Sequence, residues 1–565
     1  MFILWSGNLS SRQRHTLFDS GCPLSKNLAS EQNSKNVLPS LATKTAILVA
    51  AITITISGCV ALPPATLANV PELTSKSDGI VVLKATPLQW VSLVATKWST
   101  LSLKNQKTGQ VVTLRDRAPR GVRYSLFTSA VPAGRYQLAG FGADGVAPAT
   151  FGVIGAIAIQ AMTSAGQDST QAGVFTVESG GLTNLGMVLT AGGDKPGTAV
   201  VHDKAALQSN FEDFEPASRE RMAAMPSHGW DGAWDPAESR RAAEALVRVG
   251  ATRIVSDFSP DGRILIGSVL GQVHERLPSG QWRILQAGVT DAITAVRGVE
   301  GGVTFAATDD GRYYAFDASG NVSLQAKLPT GYVVQLIEPV AGGAAVLAQK
   351  VRPAADGATT KFNRVFVLQD GQGFDTAREL SPVPQPADGQ WFPGMAYMNG
   401  QLLVWSNSSG ISRTGDLYRA DLRTFQVAQE KTPFWGRTFY RPTPKFLVRE
   451  RMNGTDVYED FSRDDGATWS VNENAAPLWG AYFLDERKGW GLERVSTNWS
   501  SASAKLVLTE NSGRHWELAG KPIEVTRGTA RLGQVGDRLV IHTGDAVMST
   551  TDRGSSWQME WPRLQ

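Results

Sequence analysis

Cysteine is nearly missing from this chain, with two copies, Cys22 and Cys59, in 565 residues. So few exclude a disulfide framework, and six histidines add little from which to build a zinc site. An excess of one charge is missing too. Lys and Arg number 55 against 52 Asp and Glu, a formal +3, which excludes the polybasic surface of a nucleic-acid binder. The apolar runs at 45–58 and 151–162 both fall short of the ~20 residues a bilayer-spanning helix needs. There is no Gly-x-Ser-x-Gly elbow and no phosphate-binding loop. Asp309-Asp310-Gly311 and Asp370-Gly371 are too short for a calcium loop, which needs oxygen ligands at several set positions. No cofactor is expected. What the chain has is glycine, 57 copies, and enough apolar residues (42%) to bury sizeable cores. At the usual 100–200 residues per domain its length suggests about three or four units.

The first 58 residues have the order of a secretory leader. Lys44 precedes the apolar run 45–58, and Ser57 and Gly58 supply small residues before Cys59. Ile56-Ser57-Gly58-Cys59 resembles the lipobox of bacterial lipoproteins, in which the Cys becomes the acylated N-terminus. The resemblance implies lipidation at Cys59 and a membrane anchor. Val60 follows where enteric-type inner-membrane lipoproteins carry Asp, so the outer membrane is expected rather than the inner. The 44 residues ahead of the run are long for a leader, and Val37, Leu38 or Leu41 is an alternative first residue. Cleavage would remove five basic and two acidic residues and leave a neutral chain with 50 of each.

Residues 59–77, with Pro63-Pro64 and little periodicity, read as a tether. Residues 78–200 carry short alternating runs such as Gly79–Lys84, Gln110–Arg115, Val122–Phe127 and Gly173–Glu178, separated by turn residues. They predict a small antiparallel β-sandwich. Val131–Leu138 resembles the turn-plus-strand of transthyretin-like and carboxypeptidase-regulatory-like sandwiches. Residues 201–250 read as a helical bridge. There Asp235-Pro236-Ala237-Glu238 places an N-cap, a Pro at the first helical position and an acidic residue in the first turn.

Residues 251–563 are periodic, and three segments near their end share one template. Ser462, Asp464, Gly466 and Trp469 recur as Thr509, Asn511, Gly513 and Trp516, and again as Thr550, Asp552, Gly554 and Trp557. In a hairpin turn the Asp or Asn accepts backbone N–H bonds, Gly takes positive φ, and Trp packs between sheets. This Ser/Thr-x-Asp-x-Gly-x-x-Trp pattern resembles the Asp-box, or bacterial neuraminidase (BNR) repeat, of sialidase-like propellers. Weaker turns upstream end at Trp282, Val322, Phe374 and Phe425, giving seven closing residues about 46 apart. The expected fold is mainly β, a seven-bladed β-propeller, with six or eight blades as alternatives. Phe483–Gly491 ahead of the second box resembles the repeat of photosystem II assembly-factor-type propellers, whereas Phe258–Arg263 is more like a WD40- or Tol-type inner hairpin.

The Asp-box residues read as structural, because that motif belongs to outer turns while propeller active sites lie at the axis. A sialidase would also need three carboxylate-gripping arginines, a Tyr–Glu pair and an Asp acid. Tyr440-Arg441-Pro442 is the nearest match to its first arginine motif, and it lacks the Ile and lies past the middle of the array. The expectation is therefore a non-catalytic, monomeric binding or scaffold platform in the cell envelope, its partner an envelope protein or glycan. A carbohydrate-active enzyme of sialidase-like or lyase type is the alternative. Arg437, Arg441 and Lys445, interleaved with aromatics, form a candidate patch for an acidic partner.

Overall fold

A computed structural model describes residues 68–562 except for 70, 74, 89–96, 120–121, 144–172, 192–196, 233, 251–253, 354–358, 370–372, 381–390, 399, 408–415, 432–437, 443–446, 454–455, 465–467, 473–477, 486, 498–500, 527–530 and 544–545. The leader, Cys59, the apolar stretch 151–162 and Gly466 lie outside these residues. Among them no helix is long and apolar enough to cross a membrane.

The chain is mainly β. Its N-terminal part contains β1 (Asp78–Pro87), β2 (Thr100–Asn105), β3 (Val111–Arg115), β4 (Ser125–Pro132), β5 (Gly134–Gly142), β6 (Val174–Val177), β7 (Leu182–Ala191) and β8 (Gly197–Val201). They form two sheets, ordered β4-β1-β7-β8 and β3-β2-β5-β6. Alternate residues of both sheets share one core, with Val81, Leu83, Phe127 and Val188 from the first and Leu101, Leu103, Leu138 and Phe175 from the second. The expected all-antiparallel arrangement needs one correction, because β1 and β7 pair in parallel from Ile80↔Leu182 onward. Parallel neighbours require a long connection, and the chain between β1 and β7 builds the second sheet together with β4 of the first.

The 201–250 segment holds three helices, α1 (Lys204–Glu212), α2 (Pro216–Ala223) and α3 (Pro236–Gly250), and the two-residue strand β9 (Ser227–His228). It packs back on the two sheets. β9 adds to β7, Trp230 enters the shared core, and Phe214 and Met222 close a second core under Ile80 and Val82. In α3 the Asp235 side chain accepts the Ala237 N–H at 2.8 Å, and Ala243 and Val247 face inward.

From 255 to 561 the chain forms seven consecutive four-stranded sheets, each an antiparallel meander in sequence order. They span 255–286, 293–327, 332–379, 391–431, 438–472, 478–526 and 531–561. In the first sheet the second and third strands, Ile264–Gly267 and Gln272–Arg276, are buried throughout. The fourth strand of the second sheet, Val322–Lys327, is largely exposed. That gradient is expected of sheets stacked face to face with only their last strands in water. First strands pack on one another from the first sheet to the fourth, and the first strand of the seventh packs on that of the first. The seven closing residues stand at the head of, or in the turn before, each fourth strand, as Trp282 does for Trp282–Gln286 and Trp557 for Gln558–Trp561.

The α3 cap yields a measurable expectation. Replacing Asp235 by Ala should cost about 1 kcal/mol of stability through the lost bond to Ala237. A urea melt with an unchanged midpoint would show that the cap contributes nothing.

Candidate functional site

Polar side chains on the first strands of four sheets, joined by a backbone amide of one more, form one connected belt. Asp257 on Val255–Phe258 is fully buried. Its Oδ1 accepts from Arg531 Nη2 at 2.8 Å and from Arg297 Nη1 at 3.2 Å, while Oδ2 accepts the Gly298 N–H at 2.9 Å. Arg297 reaches on to Glu338, 3.3 Å away, and Glu338 Oε1 accepts the Tyr397 N–H at 3.0 Å. The chain of contacts runs from the seventh sheet through the first, second and third to the fourth. Signs alternate along it, so each charge is neutralised by its neighbours. Beside it Ser256 Oγ lies 2.8 Å from His542 Nδ1.

The electrostatics follow from burial and pairing. Asp257, with burial opposing it and Glu338 assisting, holds the Arg297 guanidinium above its ordinary range. Burial pushes the Glu338 carboxyl up in spite of Arg297 and the Tyr397 amide. Arg531, at the end of the belt, has 48% of its side chain exposed. Arg531 donates through Nη1 to the Ser256 carbonyl and through Nη2 to Asp257, so the belt is a set of oriented guanidinium groups of which Arg531 is the most exposed.

Sequence reasoning missed every one of these residues. A signal was present, since Asp257 and Arg297 each stand 25 positions before their closing residues Trp282 and Val322, and Arg531 stands 26 before Trp557. A polar residue at a constant repeat position marks a constant place in the sheet.

The box residues sit in the turns between third and fourth strands. Asp552 Oδ1 accepts from Ser556 N at 2.9 Å and Thr550 Oγ1 at 2.7 Å, and Oδ2 accepts from Ser556 Oγ at 2.6 Å. Asp464 repeats the arrangement with Thr468 and Ser462. Asn511 accepts from His515 N at 2.9 Å and Thr509 Oγ1 at 3.0 Å. Gly513 and Gly554 take φ of 74° and 82°, and each donates its N–H to the Thr hydroxyl four residues earlier. These bonds, the Thr468 and Ser556 hydroxyls first, pull Asp464 and Asp552 down to about 2. Oxygens committed in this way hold a turn.

The box tryptophans are half-buried instead of fully enclosed. Trp469 packs on Ala396, Leu403 and Trp405 of the fourth sheet, and Trp557 lies against Leu506 and Ile541 of the sixth and seventh. Trp516 meets Phe483 edge-on at 5.8 Å. Among the described residues the fully buried tryptophans are Trp490 and Trp561, neither of them a box residue. The candidate patch is not assembled within the described residues. Arg437 and Lys445 lie outside them, and Arg441 is described only as backbone of Thr438–Pro442, opposite Val448. Among the described residues no group of three or more His, Cys, Asp or Glu could hold a metal ion.

No protein-family model matches the chain, and no curated protein matches it in sequence. Solved structures similar to it include YCF48 bound to D1 peptide, at 12% identity and TM-score 0.31, over 48% of this chain and 82% of that one. The β-propeller domain of Cps50 (Swd1) from Myceliophteria_thermophila is similar at 13% and 0.33, over 55% and 98%. A prolyl endopeptidase is similar at 12% and 0.38, over 64% and 57%. At these scores the likenesses carry no argument about activity or partner.

The box geometry predicts an acid-range effect. Ser556→Ala removes the hydroxyl that contributes most to holding the Asp552 carboxylate down, so its titration midpoint should rise from about 2 toward the ordinary 3.9 or so. Because the depressed value favours the folded form above the unfolded midpoint, the variant should also lose acid resistance between about pH 4 and 2. NMR titration of the carboxyl carbon checks this, and an unmoved midpoint contradicts it.

Proposed function

We propose that the chain is an envelope lipoprotein, anchored through acylated Cys59, whose seven meanders are the blades of a β-propeller serving as a non-catalytic binding platform. Support for the propeller comes from the run of four-stranded meanders and from the packing of the last sheet on the first. The observation that carries the platform reading is the belt. Arg297 is paired to both Asp257 and Glu338, so the belt offers one half-exposed arginine, Arg531, where a sialidase site requires three. Arg531 still presents half of its side chain to solvent, which suits capture of an anionic group on a protein or glycan. Arg437, Arg441 and Lys445 would extend that preference, making acidic partners the favoured class.

Membrane fractionation and affinity capture test the two halves. Cys59→Ser should abolish acyl labelling and release the protein from membranes; unchanged partition would refute the anchor. The Arg437/Arg441/Lys445→Ala variant should lose envelope partners at low salt with no fall in melting temperature. Hydrolysis of a fluorogenic sialoside by the wild type, lost in Arg531→Ala, would instead establish the glycosidase.

A further inference from the structure

The joint between the N-terminal sheets and the array is unusually charged for a buried surface. From the N-terminal side come Lys84 on β1, Arg123 and Tyr124 ahead of β4, and Glu212 and Asp213 at the end of α1. From the array come Asp291, Asp309, Asp310, Arg312 and Lys327. Most of these line a cavity of about 30 Å³, room for roughly two waters.

Four of the five carboxylates have cations. Lys84 Nζ is 3.0 Å from Asp213 and 3.8 Å from Asp291, and it lies over the Tyr124 ring, whose hydroxyl donates to Asp213 at 2.7 Å. Arg312 reaches Asp291, Asp310 and Glu212, and Lys327 reaches Glu212 and Asp310. Asp309 is different. It is 1% exposed, and its oxygens accept only backbone N–H groups, from Arg123 across the joint at 2.8 Å and from Ala292 at 3.1 Å. One carboxylate thus crosses the joint with no cation within 4 Å among the described residues, although the Arg123 and Lys84 charges act on it and it shares the cavity wall with Asp291 and Asp310.

We infer that Asp309 makes this joint a proton-operated clamp, closed while its carboxyl is protonated and loosened when the proton leaves. A charge there would be a third anion beside Asp291 and Asp310, in a space holding about two waters to solvate it. Its protonated form can still accept both amides, the one at the hydroxyl oxygen more weakly, and it removes the repulsion. Burial, with Asp310 alongside, pushes the carboxyl up to about 6 against the pull of the Arg123 amide and of the Arg123 and Lys84 charges. Burial and Asp310 likewise push Asp291 up. Lys84 and Arg312 are held above their ordinary values by the surrounding carboxylates and keep their charge throughout. The Tyr124 hydroxyl is pushed up by burial and stays neutral.

The sign follows. The docked form holds a proton that the open form releases near pH 4, so docking weakens as pH rises from about 4 to about 6 and stays weak above. The clamp requires neither acylation of Cys59 nor any partner of the propeller.

Hydrogen exchange on the full chain tests it through peptides covering Arg123 and Ala292. After correction for intrinsic exchange, wild-type protection there should fall at least threefold from pH 5 to pH 7.5, and Asp309→Asn should flatten that slope. Asp291→Asn, which removes a neighbouring anion, should shrink it and supplies the reading if Asp309→Asn does not fold. A wild-type joint with no slope, or a folded Asp309→Asn or Asp291→Asn chain that keeps the full slope, overturns the inference.

Discussion

Everything else in this structure depends on one apolar core, the place where Trp561 is buried. Around it gather Met187 and Leu189 of β7, Ala243 and Val247 of α3, Ile264 and Ile266 of the first sheet, and Val535, Val540 and Val547 of the seventh. Four parts of the chain, separated by up to about 370 residues, bury apolar surface in common there. The seventh sheet takes all four of its strands from 531–561. No strand from the beginning of the array is exchanged into it. The meeting of first and last sheets therefore rests on side chains alone. Besides the core, these include the Arg531–Asp257 pair, Ser256 Oγ at 2.8 Å from His542 Nδ1, Arg276 at 3.2 Å from the buried Glu560, and the His274 ring tilted against Trp561 at 4.6 Å.

Much of the fold was legible because its determinants are local and repeated. Glycine, Asp and Trp at fixed offsets dictate a turn wherever they occur, so the boxes and the closing residues located the fourth strands even where the motif had decayed to Val322 or Phe374. The Asp235-Pro236 start of α3 was legible for the same reason: a cap is a four-residue event. What escaped was non-local. No alternation in β1 could say that β7 would lie beside it in parallel, since that pairing is settled by the route of the crossover between them. Nor could the composition of 201–250 show that Trp230 and Phe214 fold back into the N-terminal cores. An apolar residue in a helical segment reads the same whether it faces a neighbour ahead or behind.

The charged residues illustrate a second limit. Near-zero net charge excluded a polybasic surface but says nothing of where the charges sit, and several are buried, in the belt of Asp257, Arg297 and Glu338 and in the joint around Asp309. Arg263 is a further case. It sits nearly buried where the first two sheets meet, bound to Asp261, Glu275 and the carbonyls of Val299, Gly302 and Val303. Such groups stay charged inside a protein only when partners from several strands converge on them. Sequence order hides that convergence, and the basic cluster around Arg441 drew attention for being contiguous.

The central claim is that the two ends of the sheet array are held together through Trp561. Hydrogen exchange on Trp561→Ala tests it directly, with protection compared across the array. If the account is right, the amides of Ile264–Gly267 and Gln272–Arg276 lose at least tenfold in protection although they lie almost 300 residues away, while 343–353 in the third sheet changes little. Loss confined to 531–561, with the first sheet untouched, would contradict it.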